Sequence, residues 1–150
     1  MDHSRTVELK IPSEPGYEKL AMRLASVVAE RMGFTPERVE DLKTAVSEAC
    51  LNAIRHGNLL DATAKVLVSL TIEDTRLAIN VKDEGRGAPP PAEFEEPDIE
   101  KQIGGLQELG GLGMFVIQHL VDEAEFVEPE AGMGNQFRMV IYLEPQKAVS

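Results

Sequence analysis

Glu48 and Asn52 stand four residues apart in a segment, Thr44 to Gly57, that otherwise reads as a buried helix. Residues at i and i+4 share one helical face, a turn apart. A carboxylate and a carboxamide so placed, beside an apolar stripe, suit a metal–phosphate site. The carbonyl oxygen of Asn52 is a fitting ligand for Mg²⁺, an ion that takes few protein groups and keeps several waters or phosphate oxygens. Glu48 can orient or deprotonate a hydroxyl that attacks phosphorus.

Two further constellations occur along the chain. Asp83-Glu84-Gly85-Arg86-Gly87 comes at the end of a strand pattern. Asp83 can accept a hydrogen bond from an exocyclic amine such as adenine offers. Gly85 and Gly87 let the backbone pass close to a ligand without a Cβ clash. Gly110-Gly111-Leu112-Gly113 then opens a helical pattern, and the N–H groups of a helix N-terminus form an anion site. Each constellation alone has a plainer reading: a satisfied polar pair between helices, a turn, a flexible hinge. Their occurrence together, in this order, points to a nucleotide. A P-loop is excluded because no Gly-x-x-x-x-Gly-Lys-Ser/Thr occurs, and the glycines do not follow the first strand as a dinucleotide fold requires.

The elements that must position these residues are legible from periodicity. Val7, Leu9 and Ile11 alternate as a short strand. Ser13 and Pro15 are a start signal for a helix to about Met32, which Gly33 stops. Thr35 followed by Pro36 caps a second helix, expected from Pro36 to about His56, with Val39, Leu42, Val46, Ala49 and Ala53 as its core stripe and Gly57 just past its end. Glu48 and Asn52 fall on the edge of that stripe and should be partly buried. Val66 to Ile72 and Leu77 to Val81 form an antiparallel hairpin across Glu73-Asp74-Thr75.

From Glu84 to about Gly111 the periodicity dissolves among three prolines, Pro89 to Pro91, and a cluster of glycines. A loop of that length in a compact domain is often a lid or binding loop. Met114 to about Glu123 reads as a helix, Ala124 to Glu128 as a strand, and Phe137 to Leu143 as a final strand after a turn at Gly132, Gly134 and Asn135. The order of elements predicts an α+β, two-layer α/β sandwich with a mixed, mostly antiparallel sheet and helices on one face. A single domain over residues 1–150 is expected, with no internal repeat.

Bulk properties narrow the function. With 43% hydrophobic and 27% charged residues the chain has an ordinary globular composition. A net charge of −11 argues against a generic nucleic-acid surface. No apolar run approaches the roughly 18 residues that span a bilayer, and the polar N-terminus shows no signal peptide. Neither direct nucleic-acid binding nor a membrane is expected. One cysteine, Cys50, precludes an intramolecular disulfide and fits a cytoplasmic location. Cys50 reads as a small core residue. His3, His56 and His119 lack zinc-site spacing.

Taken together, the three constellations resemble those of the GHKL ATPase superfamily, with its Bergerat ATP-binding fold. The chain is most similar to the RsbW and SpoIIAB type, serine protein kinases that are also bacterial anti-sigma factors. Asp41 to Gly57 resembles the family's N box, Val81 to Gly87 its first glycine box, and Gly110 to Glu123 its second. The resemblance runs from about Val7 to Leu143. It implies ATP and Mg²⁺ as cofactors, Asn52 as metal ligand and Glu48 as general base for a serine hydroxyl. Asp83 would hold the adenine amine, Gly85 and Gly87 would floor the base pocket, and Gly111 and Gly113 would meet the phosphates as a lid over about residues 84–111 closes. It further implies a STAS-type anti-anti-sigma protein as substrate, a sigma factor as sequestered partner, and a homodimer formed through the first strand and helix.

Two positions depart from the family pattern. Gly134-Asn135-Gln136 stands where relatives often have Gly-Thr, and Met22 stands where relatives carry an arginine that assists phosphoryl transfer, with Arg23 one residue along and so about 100° around the helix. These departures leave a second function open, a nucleotide-responsive partner-switching protein with little or no kinase activity. A third, the detached ATP-binding module of a histidine kinase, is disfavoured because no histidine-bearing helix pair accompanies the domain.

Overall fold

The computed structural model describes residues 4–85, 111–127 and 134–144. Strand β1 (Arg5–Pro12) leads into helix α1 (Glu18–Met32) and helix α2 (Pro36–Asn52). The hairpin of β2 (Lys65–Ile72) and β3 (Arg76–Lys82) comes next, then α3 (Gly111–Leu120), β4 (Glu123–Val127) and β5 (Gln136–Tyr142). The sheet runs β1-β2-β3-β5-β4, and every one of these pairings is antiparallel.

The register explains the two layers. Leu9 pairs with Val68, Val68 with Val81, Val81 with Phe137, and Phe137 with Phe126, giving one apolar row across five strands. The neighbouring face carries Glu8, Ser69, Asn80, Arg138 and Glu125 in the same pairings. Alternation along each strand thus puts one face on the helices. Val66, Val68, Leu70, Leu77, Ile79, Phe137, Met139 and Ile141 join Leu42, Val46, Ile54 and Ile117 in one core. Each such side chain contributes about 1.5–3 kcal/mol by leaving water.

The second helix starts as its sequence requires. Thr35 Oγ1 accepts the Arg38 N–H at 3.3 Å, and Pro36 occupies the first turn, where its missing N–H costs nothing. Gly33 ends α1 in a left-handed conformation, φ 100°, with its N–H on the carbonyls of Ala29 and Glu30. The first helix, however, begins at Glu18 and Ser13 does not cap it. Ser13 is buried, and its hydroxyl donates to the Ala64 carbonyl at 2.8 Å. A local cap competed with a long-range partner and lost.

The expected lid lies outside the described residues apart from Glu84, Gly85 and Gly111, as do Arg86, Gly87, Gly110 and Gly132. Among the described residues no helix is long and apolar enough to cross a membrane.

Candidate functional site

Helix α2 carries the first two candidates. Glu48 and Asn52 are both half-buried on it. Among the described residues neither the Glu48 carboxylate nor the Asn52 carboxamide has a hydrogen-bond partner. Helix α3 packs on α2, and it brings Gly113 against the Glu48 side chain. A Cβ added to Gly113 would lie 2.6 Å from Glu48 Oε2, so the approach depends on the missing side chain. Gly111 is the first residue of the same helix.

Beyond Asn52 the helix changes character. The sequence suggested an α-helix to about His56; instead Ala53–Gly57 forms a π-helical turn. The Asn58 N–H reaches back five residues to the Ala53 carbonyl at 2.8 Å. Such single widened turns recur at functional sites, because they shift the downstream backbone off the α-helical path. Here the turn ends on Gly57, which meets Asp83. A Cβ on Gly57 would stand 2.0 Å from Asp83 Oδ2 and 2.4 Å from its Cγ.

Asp83 is the residue after β3, and the β3–β5 ladder decides its neighbour. Lys82 pairs with Gln136, so the next step places Asp83 beside Asn135, and the Asp83 N–H donates to the Asn135 carbonyl at 3.0 Å. Asn135 returns two kinds of bond. Its backbone N–H donates to Asp83 Oδ1 at 3.0 Å, and its side-chain Nδ2 donates to Oδ1 and Oδ2 at 3.3 and 3.4 Å. The Gly85 N–H adds a third donor to Oδ1 at 2.7 Å. That tight turn uses a positive φ of 70° at Gly85, which glycine adopts without cost. Gly134 is needed for a different reason: a Cβ there would fall 1.8 Å from the Asp83 carbonyl oxygen.

The electrostatics result from this packing. Burial pushes the Asp83 carboxyl above its ordinary value of 3.8, while the N–H groups of Asn135 and Gly85 pull it back only in part. His56, half-buried in the π-turn, is held below its ordinary value by burial and then by the neighbouring Arg55 charge. Cys50 is fully buried on the inner face of α2, and burial, with the Glu18 charge adding to it, pushes its thiol up to about 12. A thiol that stays protonated is a poor nucleophile, in keeping with its reading as a core residue.

The structure therefore brings Glu48 to Gly113 and Asp83 to Gly85, with Asn52 a turn beyond Glu48 on α2. Gly87 lies outside the described residues. Sequence reasoning treated Gly57 as a helix stop closing the N-box segment and Asn135 as a turn residue and a departure from the family pattern, and it passed over Asn58. Asn58 is fully buried, and its Oδ1 accepts the Glu84 N–H at 2.7 Å. The signal for Asn58 was a polar residue directly after a helix-ending glycine.

A carboxylate, a carboxamide, a glycine-packed helix N-terminus and a fixed, half-buried aspartate can together bind a phosphorylated heterocycle. Residues 11–141 match the family model of the histidine kinase-like ATPase domain. The serine-protein kinase RsbW of Bacillus subtilis is 35% identical over 126 residues, covering 78% of this chain and 74% of that protein. RsbW of Bacillus velezensis is 33% identical over 150 residues, covering 94% and 88%. RsbW of Listeria monocytogenes is 31% identical over 132 residues, covering 83% and 80%. A crystal structure of RsbU and RsbW domains from Mycobacterium tuberculosis superposes with a TM-score of 0.63 over 97% of this chain. At 15% identity that likeness speaks to the fold, and the chain spans 35% of that longer one. With an antiparallel α+β sandwich of that fold, a family match across nearly its whole length and these relatives, the chain belongs to the histidine kinase-like ATPase family and, within it, to the RsbW serine-protein kinases.

Proposed function

We propose that the chain binds ATP with Mg²⁺ between the C-terminal end of α2 and the end of β3, and passes the γ-phosphoryl group to a serine of a STAS-type anti-anti-sigma protein. The observation that carries this reading is the convergence on one helix. Glu48 of α2 packs against Gly113 of the second glycine segment, and Gly57, one residue past Ile54-Arg55-His56, packs against Asp83 of the first. Three stretches far apart in sequence thereby meet along the C-terminal half of α2 and the turn that follows it.

The roles come from the chemistry of each side chain. The Asp83 carboxylate, fixed by Asn135 and Gly85, accepts from the adenine amine, with Gly85 and Gly87 flooring the base. Gly111 and Gly113 leave the α3 N-terminus open to the phosphates. Glu48 receives the proton of the attacking serine hydroxyl. Among the described residues no group of three or more His, Cys, Asp or Glu could cage a metal. The donors present fit Mg²⁺ held by Asn52 and the nucleotide's own phosphates, since that ion is bound through few protein groups. When bound, it neutralises charge on the transferring phosphoryl group.

The partner reading comes from the family. The chain sequesters a sigma factor and works as a homodimer in the cytoplasm, as one ATP-binding and kinase domain over residues 1–150 with a lid over about 84–111. Support for the dimer is the strand β1, which among the described residues lies at the sheet edge and pairs only with β2, and the exposure of Val7, Leu20 and Val27 on β1 and α1 at 36%, 51% and 62%. Incubating the purified chain with labelled ATP, Mg²⁺ and STAS proteins of the same genome tests the reading. Label on a serine supports the kinase. ATP binding without transfer selects the partner-switching function to which Met22, half-buried on α1, and Asn135 point.

A further inference from the structure

Asn58 is uncharged, fully buried and outside the three stretches of the proposed ATP site. Its carboxamide nevertheless makes three hydrogen bonds to three separate segments. Nδ2 donates to Ser13 Oγ at 3.0 Å, in the turn after β1, and to the Lys65 carbonyl at 3.1 Å, where β2 starts. Oδ1 accepts the Glu84 N–H at 2.7 Å, in the segment leaving β3. The Ser13 hydroxyl extends the chain of bonds to the Ala64 carbonyl. The Glu84 carboxylate accepts the Lys65 N–H and ties the same two segments again.

We infer that Asn58 is a positioning residue for the nucleobase side of that site: it sets the course of the backbone as it leaves β3 and so aims the Asp83 carboxylate. The inference rests on the ATP-binding reading above. Glu84 is bonded covalently to Asp83, and the Gly85 N–H closes the turn onto Asp83 Oδ1. Fixing the Glu84 N–H therefore fixes the peptide between the carboxylate and the donor that holds it. Asn135 restrains Asp83 from the β5 side; Asn58 restrains it from the α2 side.

Few side chains can do this. The position needs two donors and one acceptor on a short planar group. Aspartate lacks the donors, leucine lacks both, and glutamine is one carbon too long. Asn58 is itself held firmly. Its N–H closes the π-turn on Ala53, and its carbonyl accepts from Asp61. The next two residues, Leu59 and Leu60, both take left-handed backbone conformations, φ 51° and 59°, unfavourable for leucine. The surrounding bonds, including the Leu60 N–H to the Ile54 carbonyl, hold them there. The end of α2 is thus coupled to the base pocket through one carboxamide.

The test compares adenosine, ATP and inorganic tripolyphosphate by calorimetry on the full chain. Asn58→Ala is expected to weaken adenosine and ATP equally, about tenfold, and to leave tripolyphosphate unchanged. Amide hydrogen exchange should speed at Glu84 and Gly85 but not at Ile79 or Met139. Adding Asp83→Ala to Asn58→Ala should cost no more adenosine affinity than Asp83→Ala alone, a coupling that a generally loosened fold does not give. If Asn58→Ala fails to fold, Ser13→Ala carries the test, with a smaller loss in the same direction. Unchanged adenosine affinity in a folded variant, while Asp83→Ala does lose it, overturns the inference alone. No loss in Asp83→Ala overturns the base-pocket reading and the inference with it.

Discussion

Gly57 and Asp83 fit together only because Gly57 has no side chain: a Cβ there would lie 2.0 Å from Asp83 Oδ2. Gly57→Ala should therefore move the carboxylate rather than merely weaken the helix end. Overpacking of this kind costs about 1–3 kcal/mol. ATP affinity measured by calorimetry should fall roughly ten- to a hundredfold, with tripolyphosphate binding little changed. Equal loss for both ligands would show that Gly57 acts on the whole fold and not on Asp83.

Asn135 donates three times to one carboxylate, once from its backbone and twice from its side chain. Asn135→Ala removes only the side-chain donors, whose distances of 3.3 and 3.4 Å are long. The expected loss of adenosine affinity is about three- to tenfold, because a hydrogen bond to an ionised group is worth about 1.5–3 kcal/mol at good geometry and less here. Asn135→Thr should recover part of it through the hydroxyl. A hundredfold loss in Asn135→Ala would mean that the side chain, not the backbone, holds Asp83.

The register explains why that neighbour was hard to foresee. The alternation of Val81 and Phe137 announced two strands, and the short connection at Glu73 to Thr75 announced which two form a hairpin. Nothing local stated that β5 would insert beside β3 with Lys82 opposite Gln136. That pairing brings Asn135 to Asp83 across 52 positions. The α2 helix, by contrast, was readable at its start, where Thr35 and Pro36 act locally, and misread at its end. The π-turn closes on Asn58, whose side chain reaches Ser13, 45 positions away, a partner that periodicity does not encode. Ser13 failed as a cap for the same reason.

Asp83 also sets a pH dependence. Burial raises its pKa above 3.8 in the folded chain, so folding takes up a proton in the window just above 3.8. Its ionisation then opposes folding as pH rises through the raised value, and the stability it contributes is fully present only below 3.8. The proposed adenine recognition has the opposite sign, since it would use the ionised form. Adenosine affinity, free of phosphate titration, should fall as pH drops through that raised value, earlier than for an exposed aspartate. Asp83→Asn should flatten the profile. A wild-type profile as flat as that of the variant would remove Asp83 from base recognition.

Cys50 gives an independent check on the core. With its thiol pushed up to about 12 and fully buried, it should resist a thiol reagent at neutral pH. Labelling should proceed only at the rate of unfolding and should accelerate in denaturant. Prompt labelling of the native chain would contradict the burial of Cys50 in the core.

Gly113 packs against the Glu48 side chain, which the proposed mechanism uses as the base. Gly113→Ala should displace the carboxylate, and phosphotransfer should suffer more than ATP affinity. Stopped-flow binding and single-turnover transfer separate the two.

The most direct measurement is on Glu48 itself. Glu48→Gln keeps the shape of the side chain and removes its capacity to take a proton. Calorimetry with ATP and Mg²⁺, paired with single-turnover transfer to a cognate STAS protein, should give near-native affinity and a transfer rate lowered by about 10²–10⁴. Undiminished transfer by a variant that binds ATP normally would contradict the assignment of Glu48 as the base.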